Sequence, residues 1–281
     1  LYKDGKEWLY RAPRPAFWRA ATDNDRGNGF VFRSAVWSAA DRFVRCVKVT
    51  ARMDEQEISM PPAPENNKYN GDETCDRFEI SYTYETPTVP VTEVTVSYLV
   101  ESDGRIHVQV DYLGKQGLPE LPVLGLRFLM PTAAEGYTYE GLSGETYPDR
   151  MAGGIPGTYR VQGLPVTPYL VPQDCGMHMQ TKWVEITRKT SLDNTDHAKS
   201  ESKLRFVAEE GENFAFTCLP YTAQELENAL HQEELPPARR TVLSVLGAVR
   251  GVGGIDSWGA DVEAPYHISG EQNISYGFWI E

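Results

Sequence analysis

Apolar and polar residues alternate along Arg77-Phe-Glu-Ile-Ser-Tyr-Thr-Tyr84, the period of two that a half-buried strand requires. Val94–Val100 and Ile106–Tyr112 repeat the pattern, and Ser102-Asp-Gly104 between them reads as a hairpin turn. Val123–Leu129, Lys203–Ala208, Phe214–Leu219, Thr241–Val249 and Ile274–Ile280 are further strand candidates. Lys3-Asp4-Gly5-Lys6 reads as a turn between two half-strands. Two short helices fit the remainder. One covers about Phe32–Phe43, with Trp37 and Ala40 on one face. The other covers Ala223–His231, where Thr222 caps and Glu225 stands three residues on. Glu55–Thr74 and Leu192–Lys203 are polar and read as exposed loops. No repeat or interdomain linker interrupts the strand pattern, so the chain is expected to be all-β: one antiparallel sandwich with long loops and one or two short helices.

Composition narrows the partners. Twenty-seven basic against forty acidic residues among 281 give a formal charge of −13, and no Lys/Arg cluster stands out. Nucleic acid is excluded, because phosphate recognition needs a basic surface. Anionic membranes would repel the chain, and no apolar run approaches a membrane span. The charge suits a neutral substrate. Cys46, Cys75, Cys175 and Cys218 lie far apart, without metal-ligand spacing, and are expected to be buried free thiols. The opening Leu1-Tyr-Lys-Asp-Gly-Lys-Glu-Trp-Leu carries no Met and no signal peptide, and reads as a piece cut from a longer polypeptide.

Candidate chemistry gathers in Gly251-Val-Gly-Gly-Ile-Asp-Ser-Trp-Gly259, where four glycines and a Trp crowd nine residues. Glycine permits backbone conformations and close approaches that a Cβ forbids. Two readings are open for Trp258: a plug for the core, or an indole face on which a pyranose stacks. Asp256 and Ser257 can brace the loop through neighbouring N–H groups. Thr22-Asp23-Asn24-Asp25-Arg26-Gly27 has calcium-loop spacing at Asp23 and Asp25, but Ser34 stands where a bidentate Glu is needed. Asx turns with Arg26 as charged partner are the simpler reading. Phe17 and Trp18 are expected in the core or at an interface. Glu145, Asp149 and Arg150 suggest a structural ion pair. The five histidines are scattered and read as hydrogen-bonded structure.

Four segments and this loop together resemble one family. Phe17-Trp-Arg-Ala-Ala-Thr-Asp-Asn-Asp-Arg-Gly-Asn28 is similar to an FWRAPTDND.G signature. Tyr139-Glu-Gly-Leu-Ser-Gly-Glu-Thr-Tyr-Pro-Asp-Arg150 is similar to Y.G.GP.E.Y.DR, with Ser143-Gly144 in place of Gly-Pro. Pro168-Tyr-Leu-Val-Pro-Gln-Asp-Cys-Gly176, followed by Trp183, resembles PY..PQE.G…RW, with Asp174 for Glu and Met177-His178 for a polar pair. Pro220–His231 and the Gly251–Gly259 loop complete the set. In this order, over nearly the whole chain, they resemble the C-terminal small-chain domain of the glycoside hydrolase family 2 β-galactosidases.

The resemblance implies a twisted antiparallel supersandwich similar to the galactose mutarotase fold, residues 1–281 being one such domain. It implies hydrolysis of terminal β-galactosides by two glutamates on a (β/α)₈ barrel, roughly 5 Å apart in a retaining enzyme. No alternating strand–helix pattern is present in this chain, so the barrel is absent and the isolated chain is expected to be inactive. Trp258 matches the family Trp that stacks on the sugar, with Asp256 and Ser257 as loop supports. No cofactor is expected in this domain; assisting Mg or Na ions would belong to the barrel. The implied partners are a galactoside and the barrel domain, with a homo-oligomer left open. The cytoplasm is favoured over export. A freestanding carbohydrate-binding module and a mutarotase-type epimerase remain as alternatives. The epimerase needs an acid and a base in one cleft, which sequence order cannot place for His107 or His178.

Overall fold

A computed structural model describes residues 1–3, 5–59, 74–189, 201–256 and 258–281. Its strands are β1 (Tyr2–Lys3), β2 (Lys6–Glu7), β3 (Arg14–Ala16), β4 (Arg45–Met53), β5 (Gln56–Ile58), β6 (Arg77–Glu85), β7 (Glu93–Glu101), β8 (Ile106–Tyr112), β9 (Val123–Met130), β10 (Gly136–Leu142), β11 (Pro156–Gln162), β12 (Met177–Thr181), β13 (Trp183–Arg188), β14 (Ser202–Ala208), β15 (Phe214–Leu219), β16 (Thr241–Val249) and β17 (Ile274–Ile280). The helices are short: α1 (Asp23–Gly27), α2 (Phe30–Arg33), α3 (Val36–Phe43) and α4 (Ala223–Asn228). The fold is all-β and antiparallel throughout, as the alternation predicts.

Ten strands form one sheet in the order β11-β10-β13-β14-β17-β8-β7-β6-β4-β5, five form a second, β12-β15-β16-β9-β3, and β1 pairs with β2 in a separate two-stranded sheet. The large sheet is two half-sheets joined by β17. That strand pairs with β8 from Ile274↔Tyr112 to Ile280↔Ile106 and with β14 from Phe206↔Ile280 to Ala208↔Phe278. Val94, Val96, Val108, Val110, Leu204, Phe206 and Phe278 point from the large sheet into the core. Leu124, Leu126, Phe128, Phe216, Leu243 and Val245 meet them from the small one. Along β7 and β8 polar residues face out, giving the period of two. By contrast β15 is buried at all six positions, which is why Phe214-Ala-Phe-Thr-Cys-Leu219 is a nearly continuous apolar run.

The outer face of the small sheet is covered in part by the stretch Phe17–Ala21, buried throughout, and by α4. Thr222 and Glu225 form the expected capping box on α4. The predicted Phe32–Phe43 helix is two helices: α2 ends at Arg33, Ser34 and Ala35 intervene, and α3 carries buried Trp37 and Ala40. The Phe17 and Trp37 rings stack at 5.7 Å, so Phe17 and Trp18 are core residues. All four cysteines are free. Cys175 and Cys218 are buried as expected, whereas Cys46 is exposed on β4 and Cys75 is half-buried. Of the two predicted loops, Gln56–Ile58 forms β5 and Ser202 begins β14; residues 60–73 and 190–200 lie outside the described residues. Among the described residues no helix is long and apolar enough to cross a membrane.

Candidate functional site

β16 ends at Val249, and Arg250 turns inward before the glycine-rich loop leaves the domain. Arg250 is fully buried. Its Nη1 lies 3.5 Å from Asp25, its Nε 3.3 Å from Glu120, its Nη2 bonds Asp261, and its guanidinium sits 4.0 Å over the Phe30 ring. Asp25 is the third residue of α1, whose N-cap is Thr22. Its carboxylate takes Arg19 Nη1 at 2.5 Å, and the Thr22 N–H and hydroxyl at 2.9 Å each. Burial would raise the Asp25 pKa, but the Arg19 charge and these hydrogen bonds hold it below the usual carboxylate range. The Thr22–Gly27 stretch is thus a helix N-terminus in a buried charge cluster. Its deep partner is Arg19; the expected partner Arg26 makes an outer contact to Asp23 at 3.3 Å.

These charges hold the ascending limb of the loop. Arg19 Nη2 donates to the Gly251 carbonyl at 3.2 Å, and Asn24 Nδ2 to the Val252 carbonyl at 3.0 Å. The Asp149 carboxylate accepts Val252 N–H at 3.0 Å and Gly253 N–H at 2.8 Å, and Arg150 Nη2 donates to the Gly253 carbonyl. Asp149 and Arg150 therefore both turn onto the loop instead of pairing with each other. Glu145 lies elsewhere, accepting Thr167 Oγ1 at 2.7 Å and Gly176 N–H at 2.8 Å. Nothing in the sequence separates these three acidic and basic roles, since all sit in one short turn.

The descending limb is held from the other side. Asp261 takes Arg33 Nη2 at 2.7 Å and Asn28 Nδ2 at 3.2 Å besides Arg250. Burial opposes ionisation of Asp261, but the Val262 N–H and Arg250 hold its pKa down. The His267 ring bridges Glu120 at 2.7 Å and the Val262 carbonyl at 2.9 Å. At the tip, Asp256 Oδ1 accepts Trp258 N–H at 2.9 Å and Ala260 N–H at 3.1 Å. The Ala260 and Trp258 N–H groups hold the Asp256 pKa down. Trp258 is 92% exposed and Ile255 is exposed beside it; the Trp is no core plug. Ser257 lies outside the described residues. Arg250, Glu120 and Asp261 carry no motif of their own, and sequence reasoning passes over them.

Two positions where the chain departs from the family signatures are buried, Asp174 near Arg19 and His178 in the aromatic core. Asp174 is buried, accepts the Tyr147 hydroxyl at 2.9 Å, and has its pKa pushed up to about 6 by burial, against the pull of Arg19. His178 packs among Tyr137, Tyr139 and Phe216 and bonds the Tyr137 hydroxyl at 3.0 Å; burial lowers its pKa to about 4. His107, on β8, meets Glu209 at 2.6 Å and packs against Trp279 on the outer side of the large sheet. Among the described residues no three His, Cys, Asp or Glu side chains gather to hold a metal ion.

Residues 1–280 match the family model described as beta galactosidase small chain. The chain is 59% identical over 276 residues to the beta-galactosidase small subunit of Latilactobacillus sakei, covering 98% of this chain and 86% of the relative. It belongs to the β-galactosidase small-chain family. This small chain is also 32% identical over 274 residues to beta-galactosidase BgaC of Bifidobacterium adolescentis and 31% over 280 residues to the beta-galactosidase of Streptococcus thermophilus. It covers 96% and 99% of itself in those alignments, yet spans only 23% and 24% of those longer relatives. A solved structure of a galactose mutarotase-like protein from Lactobacillus casei aligns over 99% of the small chain and 90% of its own length, at 10% identity and a TM-score of 0.39. The small chain is thus found among its relatives both as a subunit and as a quarter of a single polypeptide, and a large-chain partner follows from that family pattern.

Proposed function

We propose that this small chain completes the galactoside site of a β-galactosidase whose catalytic carboxylates reside on a larger chain, and that Trp258 is the residue it lends. The supporting observation is the loop itself. Its base is held on both limbs by buried and half-buried charges, while its indole stands 92% exposed. An exposed Trp on a braced stalk sacrifices burial that a core Trp would gain. That cost is offset when the ring stacks on the axial C–H bonds of a pyranose in the assembled enzyme. On this reading, any ion used in the chemistry is held by the larger chain.

The face around the loop suits a docked partner. Val31, Phe32, Ala35 and Phe43 line a groove of about 450 Å³ floored by Trp18. Phe32 is 83% and Phe43 69% exposed. Arg33, next to Phe32, ties this helical surface to the descending limb through Asp261. An apolar surface that adjoins a loop reaching into a second chain is the natural contact for that chain.

The test is Trp258→Ala in the enzyme assembled from small and large chains, assayed on a chromogenic galactoside. One stacking face contributes about 1–3 kcal/mol, so KM is expected to rise about five- to hundredfold with the small chain still folded and assembled. Unchanged kinetics would assign Trp258 another role.

A further inference from the structure

We infer that Asp149 is a positioning residue for Trp258: it fixes the direction in which the stalk leaves the domain, through backbone contacts remote from the sugar. This deepens the reading above and rests on it.

Asp149 takes two successive N–H groups, Val252 and Gly253, on one carboxylate, at 3.0 and 2.8 Å. That pattern orients the peptide plane between them. The carbonyls of residues 251, 252 and 253 are taken in turn by Arg19, Asn24 and Arg150. Two consecutive peptide groups at the base of the loop, 251–252 and 252–253, are thereby gripped from both edges, and the next is held through its carbonyl. The carboxylate also packs directly on the backbone: a Cβ at Gly251 would lie 2.9 Å from Asp149 Cγ. Asp149 is itself held in place, because its turn closes through Arg150 N–H to the Tyr147 carbonyl at 2.8 Å, and Tyr147 is buried and bonded to Asp174.

Beyond Gly253 the bracing changes character. Among the described residues, the hydrogen bonds at the tip come from Asp256 within the loop. Ile255 and Trp258 are both exposed. The aim of the indole is therefore set where the two limbs are held, at Gly251–Gly253 on one side and at Asp261 on the other. Five residues from Gly253 to Trp258 reach at most about 17 Å, so a tilt of about ten degrees at the base carries the ring by about 3 Å. A shift of that size removes a stacking contact.

The test is a double-mutant cycle in the assembled two-chain enzyme with o-nitrophenyl β-galactoside as probe. Asp149→Ala is expected to raise KM roughly three- to tenfold while changing kcat less, and to add nothing once Trp258→Ala is in place. Asp149→Asn, which keeps one acceptor oxygen, should recover part of the loss. It also serves as the readout should the Ala variant fail to fold. Equal KM effects of Asp149→Asn with and without Trp258→Ala would overturn the inference, as would a KM matching the unmodified enzyme. If Trp258→Ala alone leaves KM unchanged, the sugar-stacking reading fails first, a result separable from loss of coupling.

Discussion

Asp25 and Arg250 stand 225 residues apart in sequence and face each other at 3.5 Å, with side chains 1% and 0% exposed. Each is shared: Asp25 with Arg19, Arg250 with Asp261 and Glu120. The pair joins the helix α1 corner to the end of β16, and so forms the floor beneath the Trp258 stalk.

Removing one member of a buried charged pair leaves the others uncompensated. Arg250→Met is expected to destabilise the small chain by about 3 kcal/mol, despite conserving much of the volume over Phe30. Urea unfolding of the variant against the parent measures this. A loss well under 1 kcal/mol would mean that Arg19 and Arg33 carry the acidic residues unaided.

Gly254 has φ +82°, and an added Cβ would lie 2.5 Å from Arg150 Nη2 and 2.8 Å from Asn24 Nδ2. Gly211 has φ +82° too, with nothing within 4 Å. Ala at either position carries backbone strain of about 1–3 kcal/mol. Only Gly254→Ala also displaces the loop clamp. KM on a galactoside is therefore expected to rise for Gly254→Ala and to hold for Gly211→Ala. Equal KM values would separate the clamp from catalysis.

Asp174 and His178 pull stability in opposite directions over the same acid range. Asp174 has its pKa raised from 3.8 to about 6, so the folded chain binds more protons there than the unfolded one. Its stabilising contribution is full below about pH 4 and is lost as pH rises through about 6. His178 has its pKa lowered from 6.5 to about 4, so its contribution is present above about pH 6.5 and is lost as pH falls toward 4. Asp174→Asn, which keeps an acceptor for Tyr147, should gain stability relative to the parent at pH 7 over pH 4. His178→Gln should lose less than the parent on acidification. Thermal unfolding at the two pH values reads both; parallel shifts in all three proteins would refute the assignment.

Strand position is legible where one face meets water. Ile106–Tyr112 and Ile274–Ile280 alternate cleanly, and the predicted bounds coincide with β8 and β17. Phe214–Leu219 and Thr241–Val249 are legible through nearly continuous apolar runs between turns. β10 and β13 are not. Their Thr, Glu and Trp residues sit at half-buried positions and their tyrosines are buried, with polar groups hydrogen-bonded, as when Trp183 Nε1 donates to Glu140 at 2.9 Å. The loop at Gly251–Gly259 stands out by composition, but its clamp does not. Arg19, Asn24, Asp149 and Asp261 are common polar residues scattered over more than two hundred positions. Only the fold brings them to one backbone segment.

β17 follows every other strand in chain order, yet it is the one that sews the two halves of the large sheet together. Until Ile274–Ile280 has been synthesised, β8 and β14 each offer a bare edge, and the Val108, Phe206 and Phe278 layer cannot close. Without that strand the large sheet would be two half-sheets with open hydrogen-bonding rims, the condition under which β proteins mispair. A truncation ahead of Ile274 removes the stitching between the two half-sheets.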